Sequence, residues 1–471
     1  MKLEKFTLII IFCLWIIISF TVGINHEPWA DEAQSWLIAR DSSIFELLFQ
    51  VLKYEGSPIL FYLILKFFQF FHFPYQYIFL IPLILTGTGV YLLLFRSRLP
   101  LYIKCTFPFT YFIFYQYAVF ARNYALIFPI LAFIAVLFKD RLKNIYLYSF
   151  LLILLASTSA HSFVLAFILL MFLIYDIIKN KLTKIKNISA ISSVALVMLC
   201  TALLLIKPED CTFPASLQFK PLLYVLFTWL NGFFNLSIFL IIDIIQAVLI
   251  IMLYIMAFKV FCKNFYQFLF AISINFVIIF VLASVYANYW HFGYIILTLI
   301  FTLWILNEEN YEIIKNNFSK YLFIVCFLLI ASVQIYWSYK CILFDLYNKY
   351  SASYDAYNFI IDNNFDKQDI MGIGFKTISI QPYFKENKYK NFDKSYWVWK
   401  QSAEEKMYNN IFPLAPVFVI DDYNKKFYSD TINMLLKKGY KEYNFNGYLY
   451  AKGLLMETNC VNIFVRKDLA K

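Results

Sequence analysis

Charge is what this chain has least of. Asp, Glu, Lys and Arg make up 15% of its 471 residues, while apolar residues make up 62%. Soluble globular domains carry about 25% charged residues, so most of this length has no water-facing surface to offer. A mean hydropathy of +0.65 and an aromatic share of 21% place it among polytopic membrane proteins. The glycine-rich phosphate loop, the dinucleotide-binding glycine pattern, the GxSxG elbow and zinc-ligand spacings are all missing. Their absence argues against nucleotide-driven transport and against a soluble-type nucleotide-sugar transferase domain. No small-x-small cleavage site follows the apolar run at 6–22, which makes it an uncleaved first span rather than a signal peptide. Of eight cysteines, Cys211, Cys341 and Cys460 fall in expected outer segments, an irregular trio that supports at most one disulfide and no metal knuckle.

The formal charge of +11 would suggest an acidic partner in a soluble protein. Here the basic residues sit in short loops between hydrophobic runs, where they report topology rather than nucleic-acid binding. Spans are expected near 6–24, 75–95, 102–120, 123–138, 144–159, 161–178, 187–206, 236–258, 265–286, 290–306 and 320–340, about eleven in all. The apolar stretch 59–71 is left out because it is short and carries Lys66 and Gln69. Parity supports the omission. Only if this stretch stays outside do Arg96, Arg98, Lys104, Lys139, Arg141, Lys143, the lysines at 179–186, Lys259 and Lys263 all face the cytoplasm. After residue 340, Asn, Lys, Asp and Tyr replace the Leu/Ile/Phe runs. Helices at 354–361 and 431–437 and strands at 370–375, 417–420, 448–452 and 461–465 read as a small soluble domain. The expected architecture is an α-helical polytopic membrane domain, residues 1–340, followed by a small C-terminal α/β domain, residues 341–471, on the outer side.

The polar island at 25–58, inside a first outer loop spanning 25–74, stands out against this background. It keeps Asp31, Glu32, Asp41, Glu46 and Glu55 close to the bilayer. Asp31 is the expected cap of a helix with Ala33, Trp36 and Leu37 on one face, and Ser43 with Glu46 forms a capping box for the next. Both helices read as amphipathic and lying on the membrane surface. Gly56 ends the second, Ser57 caps a third, and Pro58 takes its first position.

A carboxylate at the mouth of a membrane cavity can take a proton from an incoming hydroxyl or amine, and the low dielectric there shifts its pKa toward that task. Asp31 is the candidate for this role, with Glu32 beside it; a helix cap with a solvated neighbour is the plain alternative. Glu55, just before the turn, can face the same cavity and join Asp31 in orienting the acceptor or holding a divalent metal ion. Arg122, His161 and His291 sit at ends of hydrophobic spans on the same expected face, where a cation can meet a lipid phosphate or pyrophosphate. Arginines at span ends also snorkel to head groups, and Tyr111, Tyr115 and Tyr117 read as packing residues.

An N-terminal span, the acidic pair in WADEAQSWLIAR, Glu55 and Pro58 in YEGSPILFYLI, the basic RSR after the next span and the later FARNYAL together resemble the GT-C superfamily of integral-membrane glycosyltransferases. The nearest branch is that of protein O-mannosyltransferases and aminoarabinose transferases. The resemblance covers about residues 1–340 and lies in order and spacing. It implies a bacterial plasma-membrane enzyme that takes a sugar from a polyprenyl-phosphate donor, with inversion, to an extracytoplasmic glycan, lipid or protein acceptor. By the same resemblance Asp31 is the base or acceptor-binding carboxylate, Glu32 its neighbour, Glu55 the second acidic position, and Arg122 the lipid-phosphate contact. The branch carries two prolines where this chain has Ser57 and Pro58, and an Arg-Tyr where it has Tyr289, Trp290 and His291. Two other classes remain: a lipid-linked glycan transporter or polymerase, which would place charges mid-span as Asp243 is placed, and a non-catalytic membrane scaffold.

Overall fold

The computed structural model describes residues 2–182, 184–213, 218, 220–236, 240–310, 318–409, 415–422 and 429–469. Among these, eight helices are long and apolar enough to cross a membrane: Leu3–Asn25, Tyr75–Arg96, Asn123–Asp140, Ala160–Lys179, Ile185–Leu204, Leu240–Phe261, Phe265–Ser284 and Phe318–Tyr347. The chain is a helical membrane protein, and the other three expected spans take different forms. Segment 144–159 yields only the short helix Ile145–Ala156. Segment 290–306 becomes Gly293–Asn310, enclosed by protein along nearly its whole length. The expected 236–258 span is the helix Leu240–Phe261, and residues 237–239 lie outside the described set.

Segment 102–120 departs most. It is helical over Leu101–Thr106, tightens to a 3-10 turn at Phe107–Phe109 and widens to a π turn at Phe112–Gln116. Pro108 lacks an N–H and cannot continue a regular helix. Irregular backbone at membrane depth is tolerated only inside protein, and the residues from Tyr111 to Ala121 are indeed buried. Side chains of the surrounding spans take up the freed carbonyls. Trp15 Nε1 donates to Pro108 O at 2.9 Å, Ser338 Oγ to Phe109 O at 2.9 Å, and Thr86 Oγ1 to Tyr117 O at 2.6 Å.

The first of the two helices expected on the membrane surface is instead enclosed by protein, while the second exposes Ile44, Phe45 and Phe49. The helix Ala30–Asp41 is buried on nearly every residue, because Leu60–Phe70 packs on one side and the 3-10 helix Phe375–Tyr383 on the other. Lys66 and Gln69 explain their presence in an apolar helix. Lys66 Nζ donates to Ala39 O at 2.8 Å and Ser42 O at 2.7 Å, and Gln69 Nε2 to Trp36 O at 2.8 Å. The bond to Ala39 O satisfies one of the orphan carbonyls at the end of Ala30–Asp41, and the other two tie the helices together on either side of it. The Ser43–Glu46 capping box is present, with reciprocal bonds of 2.8 and 3.1 Å, and Gly56 closes the turn at φ +63°. The third helix starts later than expected, at Leu60, so Ser57 does not cap it.

The C-terminal region holds a four-stranded sheet in the order β1-β2-β6-β3, where β1 is Ile370–Ile373, β2 Val417–Asp421, β3 Tyr440–Phe445 and β6 Val461–Arg466. β1 and β2 are parallel, with Ile370 opposite Val417, and the other pairings are antiparallel. β4, Tyr448–Ala451, and β5, Leu454–Thr458, form a separate hairpin. Parallel neighbours need a long crossover, and the excursion from β1 to β2 is what reaches down to the membrane helices. β3 and β5 lie outside the strands expected from sequence, since Tyr440–Phe445 is rich in Lys, Glu and Asn and β5 follows a tight turn at Gly453.

Candidate functional site

A cavity of about 260 Å³ opens where the membrane helices meet the C-terminal crossover, and Asp31, Glu55, Arg122, His161 and His291 all line it. These residues come from five separate stretches of chain. Its roof is aromatic: Trp399 meets Phe213 edge-on and Phe375 at a tilt, with ring centroids 5.5 Å and 5.2 Å apart. Thr212 N donates to Trp399 O at 3.2 Å and Gln401 N to Asp210 O at 2.9 Å, so two loops from distant parts of the chain pair over the opening.

The adjacent acids Asp31 and Glu32 separate in role, because successive helical side chains point about 100° apart. Asp31 turns into the cavity and meets Arg122, Oδ2 to Nη1 at 3.2 Å. Glu32 turns away and does not line the cavity. Its Oε2 accepts from Trp29 N at 3.2 Å, its Oε1 from Ala121 N at 2.8 Å, and His26 Nε2 lies 3.3 Å from Oε2. The capping role expected of Asp31 therefore belongs to Glu32 at the third helical position, with Trp29 as N-cap. Glu32 also fixes the backbone one residue before Arg122, which makes it a positioning residue. Beyond His26 lies Asp345, 3.1 Å from Nδ1. Burial alone would lower the pKa of His26, but the two carboxylates outweigh it and push it up to about 10; the imidazolium is held as a buried charge between two acids.

Arg122 Nη1 also donates to Asp31 O at 2.7 Å. Burial opposes its charge and Asp31 more than compensates, so the guanidinium stays ionised. Its Nη2 and Nε have no partner among the described residues and are available to a ligand. Burial raises the pKa of Asp31, partly offset by Arg122. Burial also raises Glu55, to about 8, against the pull of a bond from Gln34. The cavity thus holds one acid paired with arginine and a second that is mostly protonated at neutral pH.

Gln34 was not singled out in the sequence, although Asp31, Gln34 and Ser35 stand at helical spacing i, i+3, i+4 and share a face. Its Nε2 donates to Glu55 Oε1 at 2.8 Å and to Trp397 O at 2.7 Å, while its Oε1 accepts from Trp397 N at 2.9 Å. One amide thereby ties an acid of the cavity to the C-terminal crossover. Trp399 and Phe375 had no local signal at all, since Trp399 packs on Phe213 from a distant loop and the helix of Phe375 packs on Ala30–Asp41.

The histidines correct the expectation of two further phosphate-binding cations. Asn288 N donates to His291 Nδ1 at 2.9 Å, so that nitrogen carries no proton and the ring is neutral. Burial, His161 and Arg122 hold its pKa well below the usual value. His161 Nε2 donates to Tyr286 O at 2.9 Å, and the two rings lie 5.0 Å apart. They offer hydrogen bonds, leaving Arg122 as the cation lining the cavity among the described residues. A divalent ion between Asp31 and Glu55 does not fit this donor set. Asp31 is occupied by a guanidinium that would repel the ion, and no group of three or more His, Cys, Asp or Glu converges among the described residues. The eight cysteines are unpaired. Comparison with protein-family models, with curated proteins and with solved structures finds no match to this chain.

Proposed function

We propose that the chain is a membrane glycosyltransferase that moves a sugar from a polyprenyl-phosphate donor to an acceptor on the non-cytoplasmic side, with inversion. The observation that carries this reading is the convergence of Asp31, Glu55 and Arg122 on one cavity at the edge of the membrane helices. Lipid phosphate is a leaving group that needs charge stabilisation rather than protonation. The free edge of the Arg122 guanidinium suits its oxygens in a bidentate fashion. Asp31, on the other edge, takes the proton from the acceptor hydroxyl or amine. The acceptor atom then bonds to the anomeric carbon as the carbon–phosphate oxygen bond breaks, and polyprenyl phosphate leaves with the electron pair. One base and one oxyanion partner suffice for a single displacement, and no enzyme-bound sugar is required. Protonated Glu55 and the Nε2–H of His291 donate hydrogen bonds to sugar or acceptor oxygens.

The positive-inside distribution of loop lysines and arginines supports a non-cytoplasmic cavity, and the aromatic roof supports sugar stacking and exclusion of water. The test is incubation of the purified protein with labelled polyprenyl-phosphate sugar and a crude envelope acceptor fraction. Release of polyprenyl phosphate is expected, with Asp31→Asn slower by about 10²–10⁴-fold, the usual worth of a general base. Unchanged turnover by a folded Asp31→Asn protein removes Asp31 from the chemistry.

A further inference from the structure

A second polar cavity lies at the opposite end of the membrane helices. It has a volume of about 620 Å³, and its polar lining comes from Glu4, Ser97, Arg98, Lys104, Asn307 and Lys320. Glu4 starts the helix whose other end leads to the candidate site, which fixes this cavity on the far face. Ends of several spans meet here, and Leu99, Tyr102, Val260 and Phe261 supply an apolar wall beside the polar groups.

Among the described residues the cations of this cavity are not equally partnered. Arg98 is matched by Glu308, through an ion pair of 3.5 Å and a backbone bond from Arg98 N at 2.7 Å. Lys104 is 6% exposed, lines the cavity, and has no hydrogen-bond or ion-pair partner among the described residues. Its ammonium opens into the cavity, where an anion can pair with it. The opposing acids Glu4 and Glu308 lie beyond ion-pair distance of it, and Glu4 is exposed to solvent.

We propose that this cavity binds a phosphate-bearing anion, with Lys104 as its central contact and Arg98 and Lys320 at its rim. A lipid headgroup is the source the surroundings favour, because the site sits where spans end and carries an apolar wall for the glycerol and upper acyl carbons. The inference does not depend on the glycosyltransferase reading, since it concerns the other face and a different set of residues.

The test uses the full chain in neutral detergent, with thermal unfolding followed as phosphatidylglycerol, phosphatidylcholine or glycerol phosphate is added. Phosphatidylglycerol is expected to raise Tm far more than phosphatidylcholine. Lys104→Met should weaken that protection at least tenfold in apparent affinity, and Lys104→Arg should retain it. Lys53→Met, on the other face, is the control and should behave as wild type. Protection by glycerol phosphate as strong as by phosphatidylglycerol assigns a soluble phosphate as the source. Equal protection of Lys104→Met and wild type, or equal protection of wild type by the two lipids, overturns the proposal. Native mass spectrometry of the wild type gives a readout that needs no variant: preferential retention of phosphatidylglycerol supports the site, and equal retention of both lipids rejects it.

Discussion

Replacing Gln34 by leucine separates the electrostatics of the cavity from its architecture. The substitution keeps side-chain bulk but deletes the bonds to Glu55 and to both backbone groups of Trp397. Trp397 is buried, and each backbone group left unpaired there costs about 1–3 kcal/mol, so a loss of about 2–6 kcal/mol is expected at every pH. The loss of the Glu55 bond adds a pH-dependent part. The pKa of Glu55 is raised from 4.5 to about 8 in the folded protein. Between those values the folded state holds a proton that the unfolded state releases. Stability from this group is therefore fully present below pH 4.5 and is lost as pH rises to about 8, by up to about 1.4 kcal/mol per pH unit. The Gln34 bond favours the ionised form, and a bond to a charged group is worth about 1.5–3 kcal/mol. Without it the upper limit of the window should move up by about 1–2 pH units. The assay is Tm from pH 5 to 10 for wild type, Gln34→Leu, Glu55→Gln and the double variant. Gln34→Leu should keep losing stability above pH 8 relative to wild type, and this extra slope should vanish in the Glu55→Gln background. Parallel curves above pH 8, or a slope that survives without Glu55, refute the reasoning.

Other consequences follow from the same geometry. Arg122→Lys keeps a charge but not the planar fork that holds Asp31 on one edge and leaves the other free; transfer should fall at least tenfold, with weaker donor binding in a competition assay with polyprenyl phosphate. Glu32→Ala leaves His26 charged against Asp345 alone and frees Ala121 N, and should cost about 3–5 kcal/mol in denaturant unfolding, whereas Glu32→Gln should retain part of that. Lys452 in the β4–β5 turn is buried against Phe112, Phe292 and Trp337, donates to Asn231 O at 2.5 Å, and has its pKa lowered by burial to about 7. Between pH 7 and 10.5 the unfolded chain holds the proton that the folded one lacks, so this group makes stability rise with pH across that range, and Lys452→Met should flatten the rise in a Tm profile.

Much of the membrane architecture was legible because it is written in runs of like residues. Long apolar stretches fix where helices can cross, and a helix end marked by Gly56 or a Ser43–Glu46 box is decided within a few residues. The acids of the first loop were conspicuous for the same reason, since 15% charge leaves few to choose from. Local pattern could not distinguish Asp31 from Glu32. Their fates diverge only because Arg122 approaches one face of the helix while Ala121 N and His26 approach the other. Nor could composition show that 102–120 is broken, because an apolar segment reads the same whether lipid or protein surrounds it; here Trp15, Thr86 and Ser338 supply the bonds that lipid could not.

The residues themselves determined a helical membrane protein with an acidic first loop and a sheet-bearing C-terminal region, since hydrophobicity and turn chemistry act over short stretches. Only the tertiary structure decided which acids share a cavity, that His291 enters it neutral, and that the β1–β2 crossover roofs it. Those outcomes depend on burial and on partners hundreds of residues apart, and burial sets both the charge state of a side chain and the direction in which it can act.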